Sequence, residues 1–227
     1  MFPVTLTEYY ADTWVWDNQN KSSEVVLSQD SMEAYFNIDP VNLSTGTSGV
    51  RGTRALGEGE HYWEVVFLEP PYGTSVMVGV GTKHAKLHTN NYEYVNLIGI
   101  DKESWGLSYK GTIFHEGQRR KYCDPIYDSN TVIGCLLNTY NGTLSYYQNG
   151  VSLGVAFCDS ELMSGHLYPM ISSTASETEL ALGRRFCKRS LSLRDKCCSI
   201  IRNRIPCKDQ VDYLPLPNLV KRQILLS

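Results

Sequence analysis

The chain has 227 residues, 42% of them hydrophobic, enough to bury one large core with room for a small appendage. Its net charge is −3 and its pI about 6.0, a balance that gives no basis for nucleic-acid or membrane-surface binding. No apolar run reaches the length of a membrane span, and the opening MFPVTLTEYY lacks the pattern of a secretory signal, so an intracellular, soluble protein is expected.

In chain order, HYWEVVFL (61–68), SVMVGVGT (75–82), NTVIGCLLN (130–138), GTLSYYQNG (142–150) and ETELAL (177–182) read as strands. They are rich in β-branched and aromatic residues and bounded by Gly, Pro, Asn and Ser. TLSYYQNGVSLGVAF alternates around Asn149-Gly150, a pair suited to a turn whose two central residues need positive φ. No helical period persists before residue 185. The expected fold is mainly β, an antiparallel sandwich.

Charge marks a boundary. Between Gly183 and Lys208 there are nine basic residues and one acid, Asp195, a local +8 that leaves −11 on the rest. Within this stretch SLRDKCCSIIRNRI, read as a helix, lines up Leu193, Cys197, Ile200 or Ile201, and Ile205 as an apolar stripe. The bland reading is a helix packed on its own sandwich. Further on, LPLP (214–217) precedes NLVKRQILL and by itself reads as a helix terminator.

Chemistry is sparse. The cysteines, seven in all, are odd in number, in a chain too long to need staples, and are expected to be reduced thiols. Cys187, Cys197, Cys198 and Cys207 lack the C-x-x-C spacing of a zinc site, and adjacent cysteines are poorly placed for a disulfide in a helix. Cys197 therefore reads as a small hydrophobe. His84 and His88 have no acid or cysteine beside them, VGVGT lacks the Lys-Ser/Thr of a phosphate loop, and ISSTASETE contains no nucleophile elbow. No catalytic residue, metal or cofactor is expected. The sequons at Asn20, Asn42 and Asn141 are read as chance.

GEGEHYWEV (57–65), VGVGT (78–82), DKESWGLSY (101–109), GTLSYYQNG and LYPMIS (167–172), in this order, resemble a SPRY domain. That resemblance implies a bent β-sandwich presenting a peptide-binding edge, with Trp63 and Trp105 as core anchors. Ser192-Leu193-x-x-x-Cys197-x-x-x-Ile201 resembles the elongin-binding box of SOCS-box proteins, and LPLP resembles their cullin box. The whole chain resembles the family of SPRY domain-containing SOCS box proteins, with 1–24 as an N-terminal extension, 25–186 as SPRY domain and 187–227 as a helical SOCS box.

The resemblance implies a non-catalytic substrate receptor of a cullin-RING ubiquitin ligase, working in the cytoplasm or the nucleus. Leu193, Cys197, Ile200 and Ile201 would meet elongin C, which brings elongin B; Leu214, Pro215, Leu216 and Pro217 would meet cullin 5 with its RING partner. Relatives that read asparagine-rich peptides use an Arg-Pro-Val-Ala-Gln type loop, a tyrosine and a tryptophan. Here Val41 and Asn42 open the loop, Phe114 stands for the tyrosine, and Ala175, preceded by Thr174, stands for the tryptophan. A protein substrate held through another short peptide is thus expected. The alternative is a SPRY interaction module without ligase recruitment.

Overall fold

The computed structural model describes residues 9–37, 44–90 and 92–188 and, beyond these, 197, 201, 204–205, 208–218, 220–221 and 224. The chain divides into two units, Met1–Lys188 and Arg189–Ser227.

Among the described residues, fifteen strands build the first unit. In chain order they are β1 (Tyr10–Ala11), β2 (Trp16–Lys21), β3 (Val25–Leu27), β4 (Glu33–Phe36), β5 (Ser48–Gly52), β6 (Glu60–Phe67), β7 (Val76–Gly81) and β8 (Ser104–Ser108). They continue as β9 (Thr112–His115), β10 (Gln118–Lys121), β11 (Thr131–Asn138), β12 (Thr143–Gln148), β13 (Val151–Cys158), β14 (Tyr168–Ser173) and β15 (Thr178–Lys188). One sheet runs β13-β12-β11-β6-β15-β4-β3, with β1 also paired to β15; the other runs β10-β9-β8-β7-β14-β5-β2.

The period-two pattern sets which side chains face the core. Trp63, Val65 and Phe67 of β6 and Ile133, Cys135 and Leu137 of β11 are buried with Val76, Val78 and Val80 of β7 and Trp105 of β8 in one cluster. Both sheets contribute to it, so the core is the filling of a sandwich, and each large side chain in it contributes roughly 1.5–3 kcal/mol. Tyr146 of β12 also donates its hydroxyl to the Val78 carbonyl (3.2 Å), a bond from one sheet to the other. The odd positions out, such as Met77, join Ala85, Ile98 and Met170 in a second cluster on the other face of β7 and β14.

Two glycine positions show backbone constraints. Asn149 and Gly150 both have positive φ (50° and 81°) and link the paired residues Gln148 and Val151, the hairpin the sequence indicates. At Gly79, which faces Gly106 across β7 and β8, a Cβ would lie 2.0 Å from the Trp105 carbonyl oxygen.

The stretch read as an N-terminal extension, 1–24, carries β1 and β2. Trp16 is fully buried, and Trp14 packs edge-on against Trp16 and Trp63 with ring centroids 5.7 and 6.4 Å apart. β1 pairs with the end of β15 through Tyr10↔Cys187 and Ala11↔Phe186.

The second unit has its own small core. Val211 and Ile224 are buried there, with Ile201, Ile205, Leu214, Leu216 and Val220 packed against them. A 3-10 turn spans Lys208–Tyr213, and the backbone is helical at Cys197, Ile201 and Arg204 and again at Asn218, Val220, Lys221 and Ile224. A continuous helix over the basic stretch is not defined among the described residues.

Candidate peptide-binding edge and partner surfaces

The loop joining β14 to β15 is held from both sides. The Thr174 N–H and hydroxyl donate to the Ser75 carbonyl (2.9 and 3.1 Å), and the Thr174 Oγ1 accepts from the Ser75 N–H (2.9 Å). The Ala175 carbonyl accepts from Asn37 Nδ2 (3.1 Å) and the Thr178 hydroxyl (3.3 Å). Asn37 has a left-handed φ of 51°, which its short polar side chain tolerates. Its Oδ1 and the Ser75 hydroxyl oxygen are buried without a partner. Tyr72, half-exposed, donates to the Ser176 carbonyl, and Tyr109, which donates to the Gly73 carbonyl (2.7 Å), meets exposed Tyr127 edge-on at 6.0 Å. Exposed Tyr72 and Tyr127 thus present aromatic surface beside a loop held by hydrogen bonds, an arrangement a short peptide could pack against.

Thr174 and Ala175 therefore sit at this edge, both nearly buried. Val41 and Asn42 lie outside the described residues. Phe114 is elsewhere. In the ladder it aligns with Gly106, Gly79 and Met170, whereas Thr174 follows Ser173, which aligns with Val76. That is four positions along β14, about 13 Å, and three strands across. Phe114 packs instead with Leu87, Ile98, Met77 and Met170 under the long connection between β7 and β8. Arg51 pins that connection: its guanidinium donates to the carbonyls of Lys83 (2.7 Å) and Ala85 (3.1 Å). The spatial gap between Phe114 and Ala175 was invisible to motif alignment, which orders residues without placing them.

In the second unit, Cys197 is exposed while Ile201 and Ile205 belong to the unit's own core. The expected stripe is thus divided, with Cys197 outward and the two isoleucines inward. Leu193 and Ile200 lie outside the described residues. Leu214 and Leu216 are packed in the same core, and Pro215 and Pro217 are exposed. LPLP follows the 3-10 turn that ends at Tyr213, and the Pro217 carbonyl accepts from the N–H groups of Val220 (2.9 Å) and Lys221 (3.1 Å), so it separates one helical turn from the start of the next.

Other reactive side chains are tied into structure. His115 stacks on Trp105 at 4.4 Å, its Nε2 lies 3.4 Å from Asp159, and Trp105 donates its indole N–H to the same carboxylate (3.1 Å). Burial pushes the thiols of Cys135 and Cys123 up, away from the thiolate that nucleophilic chemistry needs. Among the described residues, no three His, Cys, Asp or Glu side chains gather as a metal site, and no helix is long and apolar enough to cross a membrane.

A two-sheet antiparallel sandwich with a loop-built edge is the architecture of a SPRY domain, and residues 60–185 match that family's model. The SPRY domain of human HERC1 superposes with a TM-score of 0.60 at 16% identity, covering 74% of this chain and 97% of that domain. The chain is 38% identical over 210 residues to SPRY domain-containing SOCS box protein 3 of Xenopus tropicalis, covering 92% of this chain and 56% of that protein. To SPRY domain-containing SOCS box protein 1 of Homo sapiens it is 28% identical over 228 residues, covering 92% and 79%. The chain belongs to the SPRY domain family, within its group of SPRY domain-containing SOCS box proteins. It spans a little over half the length of the Xenopus relative.

Proposed function

We propose that the chain is the substrate-recognition adaptor of a cullin-RING ubiquitin ligase of the elongin B/C and cullin 5 type. In this reading the SPRY body, 25–186, binds a protein substrate through a short peptide, and a SOCS box over 187–227 recruits the ligase for ubiquitination and proteasomal degradation. The observation that carries it is the division of labour in the second unit. Ile201, Ile205, Leu214 and Leu216 hold that unit together, while Cys197, Pro215 and Pro217 stay on its surface for partners. The adaptor does no chemistry itself and needs no cofactor. Peptide recognition falls to the loop carrying Thr174 and Ala175, with Val41 and Asn42, and Phe114 supports the same sheet from its own cluster.

Leu193 enters an apolar pocket on elongin C, flanked by Cys197, with Ile200 and Ile201 behind it, in a helix-in-groove mode. Leu193→Asp then abolishes co-purification with elongin C, because burying an unpaired charge costs several kcal/mol where leucine gained roughly 1.5–3. Cys197→Ser weakens it by placing a hydroxyl in an apolar groove; Cys198→Ser, about a hundred degrees round a helix, matters less. Elongin capture by Leu193→Asp at the parent level would overturn the assignment of the elongin box to Leu193, and a parent chain that captures no elongin would be a SPRY module without ligase recruitment.

A further inference from the structure

The end of the sandwich that carries Thr174 and Ala175 is acidic as well as aromatic. β6 lies between β11 and β15, and Phe67 at its end aligns with Thr131 on one side and Leu180 on the other. The turns at this end therefore gather Asp128, which precedes β11, Glu69, which follows β6, and Glu177, which precedes β15, and all three are exposed. Backbone bonds hold them there: the Asn130 N–H donates to the Phe67 carbonyl (2.6 Å) and the Leu68 N–H to the Glu179 carbonyl (3.1 Å). Burial, and then the Glu177 carboxylate beside it, push the Tyr72 phenol up.

The cation at this edge, Lys110, is already committed. Its Nζ donates to the Thr74 carbonyl (2.8 Å) and lies 5.4 Å over the Tyr109 ring, which also meets Tyr127 edge-on. An ammonium held between a carbonyl and a tyrosine face is what the negative face of the ring favours. The neighbouring rings have the same chemistry to offer. Tyr72 and Tyr127 are 50% and 60% exposed, and among the described residues no cation lies over either.

We propose that the peptide this edge takes is basic, an arginine or lysine side chain lying on the exposed Tyr72 and Tyr127 rings with Glu177, Asp128 and Glu69 as its counter-charges. Aromatic faces alone would accept any apolar side chain. Three exposed carboxylates around them select a cation and repel an acidic segment. They also continue the −11 carried outside the basic stretch, a field that steers a basic partner toward the body. The inference rests on the reading of this edge as the peptide site and is independent of elongin or cullin recruitment.

The test titrates the full chain, its thiols kept reduced, into three fluorescent peptides of one length built on glycine and serine and carrying arginines, citrullines or glutamates. The arginine peptide is expected to bind, less tightly as salt is raised, and the citrulline and glutamate peptides are expected to bind weakly or not at all. Tyr72→Leu and Tyr127→Leu keep bulk and remove the ring face, so each is expected to weaken the arginine peptide roughly two- to fivefold, and Glu177→Gln about twofold. Tyr10→Leu and Glu161→Gln, exposed changes in other elements, are expected to leave it unchanged. Each variant is compared at parent-like circular dichroism, and should Tyr127→Leu fail to fold, Tyr72→Leu decides. An arginine peptide that does not bind overturns the proposal, as does equal loss from Tyr10→Leu or Glu161→Gln, the mark of unselective attraction to an acidic body. A citrulline peptide that binds as tightly as the arginine one, and is weakened by Tyr72→Leu, removes the basic class and keeps the peptide edge. Binding that neither tyrosine variant weakens removes the edge reading together with the inference.

Discussion

The Tyr122 hydroxyl illustrates how much a single polar atom can be asked to do: within the β12–β13 ladder it donates to the Gly154 carbonyl (2.6 Å) and accepts from the Tyr146 N–H (3.4 Å). It is half-buried, and that burial, against a smaller lowering from the Tyr146 N–H, pushes its pKa up to about 12. An unfolded tyrosine titrates near 10, so the folded state holds the proton more tightly. Its contribution to stability is complete below about pH 10 and is lost as pH rises through about 12. Tyr122→Phe is therefore expected to remove one late-titrating phenol from the alkaline absorbance curve. A charge pair gives a second prediction. Glu64 is buried, receives the N–H, Nε and Nη2 groups of Arg184 (3.2, 3.0 and 2.9 Å), and accepts from Tyr62 (3.0 Å). Arg184→Ala leaves that carboxylate short of donors. The expected loss is about 1–2 kcal/mol in denaturant titration, at the modest end because more than half of the Arg184 side chain remains in solvent.

At the scale of strands and turns, glycines separate backbone strain from crowding. Gly150→Ala meets no atom within 4 Å but places alanine at φ +81°, which is expected to cost about 1–2 kcal/mol. Gly79→Ala drives a methyl into the Trp105 carbonyl and is expected to cost at least about 3 kcal/mol, and thermal melts of the two variants measure the difference. Both sites lie in elements legible in the sequence. The Asn149-Gly150 hairpin, β6, β7, β11 and β12 were readable because their alternation or their turn residues act locally. β10 and β2 were not, since QRRK has no apolar face to reveal a strand and the WDNQNK of β2 shows only Trp16 to the core. The WVW triplet at 14–16 held the available signal, two large aromatics at period two. The candidate edge was legible only as residue types: nothing in ISSTASETE announces that Asn37, some 138 positions away, donates to Ala175.

For the whole molecule, the placement of LPLP decides which substitutions can probe ligase recruitment. Changing Leu214 or Leu216 would disturb the second unit's own core, whereas Pro215 and Pro217 are exposed. Pro215→Ala with Pro217→Ala is expected to keep elongin capture and body stability while weakening cullin capture by about tenfold, since each lost proline raises the ordering cost by roughly 0.4–1 kcal/mol. Quantitative pull-down with elongin and with cullin separates these outcomes, and undiminished cullin capture would reduce LPLP to a structural role.

The position of β15 also sets a timetable. It lies between β6 and β4 and pairs with β1 as well, so strands begun at residues 10, 33 and 60 wait for a neighbour that starts at Thr178. At roughly 5–20 residues per second on the ribosome, β4 spends on the order of ten seconds with that flank open. The nascent body thus keeps the flanks of β4 and β6 that β15 will cover unpaired through most of its own synthesis. The sandwich closes only as the basic stretch that follows Lys188 is being made, so a chain interrupted before β15 would lack a central strand of its first sheet as well as the whole second unit.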